Sequence, residues 1–156
     1  MDLIIQGRGR AWGRNRVSLK IRPEQIEAFQ PVADAGFVRR VAEYLRSAHS
    51  EVIVKIPSGS IAVSQIPRVV LSRMVQTGVT RARRYDFTSE SSLAAFVAIM
   101  FVAAPNFDAH PLIQIVLQDP DVTPARRLDN LWGRISPQNW RAVESYYDPS
   151  AWGIDD

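Results

Sequence analysis

Residues 93–104, LAAFVAIMFVAA, run for twelve positions without a charge, a hydroxyl or an amide. A helix that is apolar on every side must be enclosed. Twelve residues fall well short of the roughly 20 needed to cross a bilayer, so the enclosing material has to be protein. Thr88-Ser89-Glu90-Ser91-Ser92 supplies a hydroxyl cap and an early acid before the run, and Pro105-Asn106 stops it. At 156 residues and 46% apolar composition, the chain has the size of one domain able to bury a sizeable core. The expectation is an all-α fold: a single compact domain of about five or six helices around this buried central helix, spanning residues 21–156. A flexible basic arm, residues 1–20, precedes it.

The charge is distributed unevenly. Six of the 19 basic residues lie within residues 1–22 beside one of the 16 acidic ones, so that stretch carries +5 and the rest of the chain −2. The sequence pI of about 9.7 therefore belongs to the arm, while the body is slightly acidic. All basic residues but Lys20 and Lys55 are arginine, which suits bidentate contacts and equally reflects genomic composition. There is no cysteine, which removes disulfides, thiolate catalysis and cysteine-ligated zinc. Leu3-Ile4-Ile5 is too short for the roughly 7–15-residue core of a secretory signal. No export signal or membrane anchor is read, and a cytoplasmic location is expected.

Apolar spacing places the remaining elements. Pro23 suits a helix start, and Pro31 is expected to interrupt or kink that helix, with a second beginning near Asp34. In this second helix Phe37, Val41, Tyr44 and Leu45 share a face, and Arg39, Arg40, Glu43 and Arg46 fall mostly on the other. Residues 51–66 combine a β-branched run with the turn chemistry of Pro57-Ser58-Gly59-Ser60. A short hairpin is possible there, but two strands alone make a marginal sheet, and an extended connection is preferred. From Pro67 to about Tyr85 a long helix puts Leu71, Met74, Val75, Gly78, Val79 and Ala82 on one face. Arg73, Thr77, Thr80 and Arg84 lie opposite. The small residues Gly78 and Ala82 let another helix approach, and the central helix is the expected partner. Beyond it, Pro111, Pro124 and Pro137 each suit a helix start, with Leu128, Leu131 and Trp132, then Trp140, Val143 and Tyr147, facing inward. Trp152 in the tail can tuck back onto the body.

The catalytic and ligand-binding patterns in the sequence are incomplete. Gly7-x-Gly9-x-x-x-Gly13 has its third glycine one position late for a dinucleotide loop and no βαβ context. Asp119-x-Asp121-x-Thr123 opens like a calcium loop, but Pro124 stands where glycine is required. His110 with Asp108 could pair a base with its orienter, yet no nucleophile motif accompanies them, and a capping role is preferred. The acids fall on helix exteriors and caps, so no carboxylate pair is nominated. No catalytic, metal or cofactor site is expected.

Two binding features stand out. Arg8, Arg10, Arg14 and Arg16 with Trp12 could neutralise phosphates and stack on a base, as a nucleic-acid-binding arm would. The outward Arg73 and Arg84, with Arg81 in the last turn of the same helix and the late aromatics Trp132 and Trp152, are candidates for contact with a protein partner. Each also has a structural use. Cations complement a helix C-terminus, and aromatics at helical spacing pack cores.

Gly78-x-x-Arg81-Ala82-Arg83-Arg84-Tyr85-x-x-Thr88-Ser89-Glu90, followed by Ala95-Phe96-Val97-x-x-Met100-Phe101 and Asn106-Phe107-Asp108-x-His110-Pro111, resembles a pattern in short all-helical bacterial proteins of type VI secretion effector loci. These are encoded beside PAAR-type tip proteins, effector chaperones and toxins. With Glu24-Gln25-x-x-Ala28-Phe29 and Phe37-Val38-x-x-Val41 the likeness extends over roughly residues 22–135, and it leaves out the arm. The resemblance implies a non-enzymatic adaptor or co-chaperone that binds an effector, its chaperone or a PAAR-type protein. It transfers no functional residue. The alternatives are an immunity protein neutralising a cognate toxin and a nucleic-acid-binding protein using the arm.

Overall fold

The computed structural model describes the backbone of residues 23–154 and the side chains of residues 35–154. The readings of the arm, including Arg8, Arg10, Trp12, Arg14 and Arg16, lie outside the described residues. Helix α1 spans Pro23–Ala48, a hairpin follows with β1 Ile53–Ile56 and β2 Gly59–Ala62, and α2 spans Arg68–Arg83. The central helix α3 is Glu90–Val102, and α4 Pro111–Leu117, α5 Pro124–Arg134 and α6 Pro137–Ser145 complete the helices. The fold is the expected all-α arrangement, with six helices among the described residues, α3 at their centre, and one small sheet added.

The central helix is enclosed as its composition demands. Leu93 and residues 95–101 are buried on every side of it. The Ser89 side chain accepts a hydrogen bond from the Ser92 N–H at 3.1 Å and caps the helix. The expected face of α2, namely Leu71, Met74, Val75, Gly78, Val79 and Ala82, is its whole buried set. The close approach of α2 to α3 occurs at Gly78, where a Cβ would lie 2.7 Å from Met100 Sδ and 2.9 Å from Val97 Cγ2. Aromatic rings carry the core outward from α3. Phe96 lies 4.9 Å from Phe107 and 6.0 Å from Phe87, and Phe101 lies 4.6 Å from Trp152, centre to centre.

Two local expectations are corrected. Pro31 does not divide the first helix, since α1 is continuous over 26 residues and Asp34 lies inside it. Proline's fixed φ is helical, so an interior proline forfeits one hydrogen bond and crowds the preceding turn without excluding the conformation. Residues 51–66 form a hairpin, not an extended connection, with Val54 paired to Ile61 and Lys55 to Ser60.

The hairpin escapes the instability of an isolated two-stranded sheet because distant residues hold it. Val54 is fully buried. On the outer edge of β1 the Lys55 N–H donates to the Tyr147 hydroxyl at 2.9 Å. The Lys55 carbonyl accepts from Trp152 Nε1 at 2.9 Å and from the Tyr147 hydroxyl at 3.2 Å. Val54 therefore meets a core that the sequence distance of its partners conceals.

The C-terminal segment is clamped in the same way. Asn106 donates from Nδ2 to the Tyr146 carbonyl at 2.8 Å and accepts the Asp148 N–H at 3.0 Å. Gly153 follows in the left-handed region at φ 72°, where a Cβ would lie 2.8 Å from Thr77 Oγ1. Thr77, expected on the outward face of α2, is thus half-covered by the tail, while Arg73, Thr80 and Arg84 are exposed. No described helix is long and apolar enough to cross a membrane.

Candidate partner-binding groove

An open groove of about 550 Å³ lies between α1 and α2. The C-terminal end of α1 meets the N-terminal end of α2, where Arg46 donates to the carbonyls of Ile66 at 2.8 Å and Ser64 at 3.3 Å. One turn further along, Arg68 pairs with Glu43 at 3.1 Å. From α1 the groove receives Ala35, Val38, Arg39, Ala42, Glu43 and Arg46, a stripe with helical spacing. From α2 it receives Arg68, Val69, Leu71, Ser72, Arg73 and Gln76.

Its floor is apolar and its rim cationic. Val38, Ala42 and Leu71 are buried at the base, while Val69 stands 67% exposed at the edge, far more than an isolated core residue would be. Four arginines and one glutamate surround that apolar strip. The Arg68–Glu43 pair is largely solvated, with side chains 76% and 53% exposed, and such pairs contribute only about 0–1 kcal/mol. Arg46 is bonded to carbonyls rather than a carboxylate. Arg39 and Arg73 form no ion pair among the described residues. Among the described residues the groove therefore has a surplus of positive charge.

Of the five residues expected at a partner surface, the structure brings only Arg73 to this groove. Arg84 is exposed at the C-terminal end of α2, outside the lining. Arg81 is not a surface contact. Its side chain is 17% exposed, it forms an ion pair with Asp108, and it donates to the Pro105 carbonyl at 2.6 Å. Trp152 is fully buried against Phe101 and so offers no partner contact, in keeping with the tucked-back reading of the tail. Trp132 is half-buried and stacked on Trp140 with ring centres 5.5 Å apart, where it covers the core. The signal missed in the sequence is the stripe 35–46. Small apolar residues alternate there with Arg39, Glu43 and Arg46 at helical intervals, on a face that reads as simply solvated when α1 is considered alone.

The chemically suggestive side chains have structural partners. Asp108 does not orient His110. It accepts from Arg81 and from the Tyr85 hydroxyl at 3.0 Å, and burial together with this carboxylate pushes the Tyr85 phenol up to about 12. His110 caps α4, its Nδ1 accepting the Leu112 N–H at 3.2 Å. Arg127 donates to the carbonyls of Val122, Leu117 and Tyr85, tying the α4–α5 connection to the turn after α2. Burial holds the His49 imidazole below its usual range. Among the described residues no group of three or more His, Asp or Glu is placed to hold a metal ion. The chain matches no protein-family model, no curated protein and no solved structure.

Proposed function

We propose that this chain is a non-enzymatic accessory protein that holds a protein partner in the groove between α1 and α2. The partner is a type VI secretion effector, its chaperone or a PAAR-type tip protein, and the role is that of an adaptor or co-chaperone before loading. The observation that carries the binding role is the pairing of the exposed Val69, at the edge of an apolar floor, with a surplus of arginine around it. Apolar area supplies affinity, and a one-sided charge supplies orientation and rate. The sequence likeness over residues 22–135 supports the choice of partner. The half-buried Arg81 and Tyr85 are both committed to the buried Asp108, which fits a scaffold built for rigidity.

Co-expression with the effector and chaperone encoded alongside tests this reading. A stable complex surviving purification is the expected result, and failure to bind any of these products would refute it. If the chain instead protects cells against the toxin expressed alone, it is an immunity protein.

A further inference from the structure

We infer that the occupant of the α1–α2 groove is an acidic amphipathic helix of the partner, about three turns long. This inference rests on the accessory reading above and specifies what the groove recognises. The length follows from the lining. Ala35 to Arg46 on α1 covers eleven residue steps, about 17 Å at 1.5 Å per residue, which matches three turns of helix. The cross-section follows from the floor. Val38, Ala42 and Leu71 lie between the two helices with Val69 at the rim, so a third helix laid along them buries apolar side chains at every third or fourth position. The charge follows from the rim. Arg39 and Arg73 rise from opposite walls without an ion pair among the described residues, and carboxylates flanking the apolar face of an incoming helix would reach both.

The chemistry disfavours other occupants. Nucleic acid presents phosphates that have no use for an apolar floor, and Glu43 would stand against them. The chain's own residues 1–22 hold six basic side chains and one acidic one, so the groove repels them.

The test uses the full chain and a set of synthetic helices of about three turns, with leucines on one face and glutamates on its flanks. The same set with lysine for glutamate is the control, and binding is read by fluorescence anisotropy. The glutamate set is expected to bind and to weaken as salt rises. Arg39→Glu with Arg73→Glu should weaken that binding about 10- to 100-fold, and Val69→Asp should weaken it without altering the fold. Equal binding of the two peptide sets, or glutamate-peptide binding indifferent to both variants, overturns the inference. So does an oligonucleotide that binds wild type and is released by the double arginine variant.

Co-purification with the neighbouring products separates the two levels. A product held equally by wild type and double variant overturns the groove assignment and leaves the accessory role intact. Peptide binding that follows the groove charges, with no neighbouring product captured, supports the groove and removes the accessory role.

Discussion

Asp108→Asn isolates the electrostatic part of the buried network that joins α2 to the loop after α3. The carboxylate is 7% exposed and accepts from Arg81 and Tyr85, while Arg81 is 17% exposed and keeps the Pro105 carbonyl as a second acceptor. Asparagine preserves the shape and can still accept from Arg81, with the Tyr85 hydroxyl rotating to accept from the amide. What is lost is the neutralising charge. Removing one partner of a buried ion pair costs about 3–5 kcal/mol, and the retained carbonyl and residual exposure of Arg81 place this case near 3 kcal/mol. For a chain of this size that corresponds to a fall in melting temperature of about 6–12 °C. Urea unfolding followed by tryptophan fluorescence should show a lower midpoint with an unchanged slope. Arg81→Met combined with Asp108→Leu should recover much of the loss, because the double variant leaves no charge uncompensated. A change under about 0.5 kcal/mol for Asp108→Asn, or strict additivity in the double variant, would refute the assignment of the pair as a coupled buried unit.

Three further outcomes follow from the packing and the titrating groups. Trp152→Phe keeps the ring on Phe101 but removes the donor to the Lys55 carbonyl, which retains Tyr147, so about 1 kcal/mol should be lost in urea unfolding, with hydrogen exchange at β1 accelerated most. Gly78→Val places a branched side chain where Met100 Sδ and Val97 Cγ2 already stand. It should cost about 1–3 kcal/mol or more and separate α2 from α3, whereas Gly133→Ala, with open space around it, should be neutral or stabilising in the same assay. The Tyr85 phenol is held at about 12 against an ordinary 10 by burial and then by Asp108. The unfolded chain therefore releases this proton first, and stability should fall as pH rises between 10 and 12. Tyr85→Phe should flatten that part of the pH–stability curve.

Most of the helical frame could be read from residue order because it depends on local signals. The buried face of α2 was legible residue by residue, since apolar spacing and the small Gly78 leave only one side that can meet α3. The starts at Pro111, Pro124 and Pro137 were legible for the same reason, as proline there costs no helical hydrogen bond. The hairpin was not, because its stability comes from Tyr147 and Trp152, which are about 90 residues away and give no local trace. The continuity of α1 through Pro31 was hidden by a propensity that disfavours proline without forbidding it.

The groove was hidden in a further sense. Arg73 was visible as an exposed cation, and Arg39, Glu43 and Arg46 as a solvated face. Only the packing of α1 on α2 makes them one surface around Val38, Ala42 and Val69. Arg81 and Trp152 failed in the opposite direction, since residue types common at interfaces are also those that buried networks and cores employ. Sequence ranks such residues by type, whereas their use is set by what the fold lays across them.

The groove account is tested most directly by mapping where an acidic amphipathic peptide sits on the intact 17.5 kDa chain, by amide shift changes in isotope-labelled protein. Perturbations concentrated in residues 35–46 and 68–76, and abolished by Arg39→Glu with Arg73→Glu, are predicted. Perturbations centred elsewhere, for instance around the exposed Ile115 of α4, or unchanged in the double variant, would contradict it.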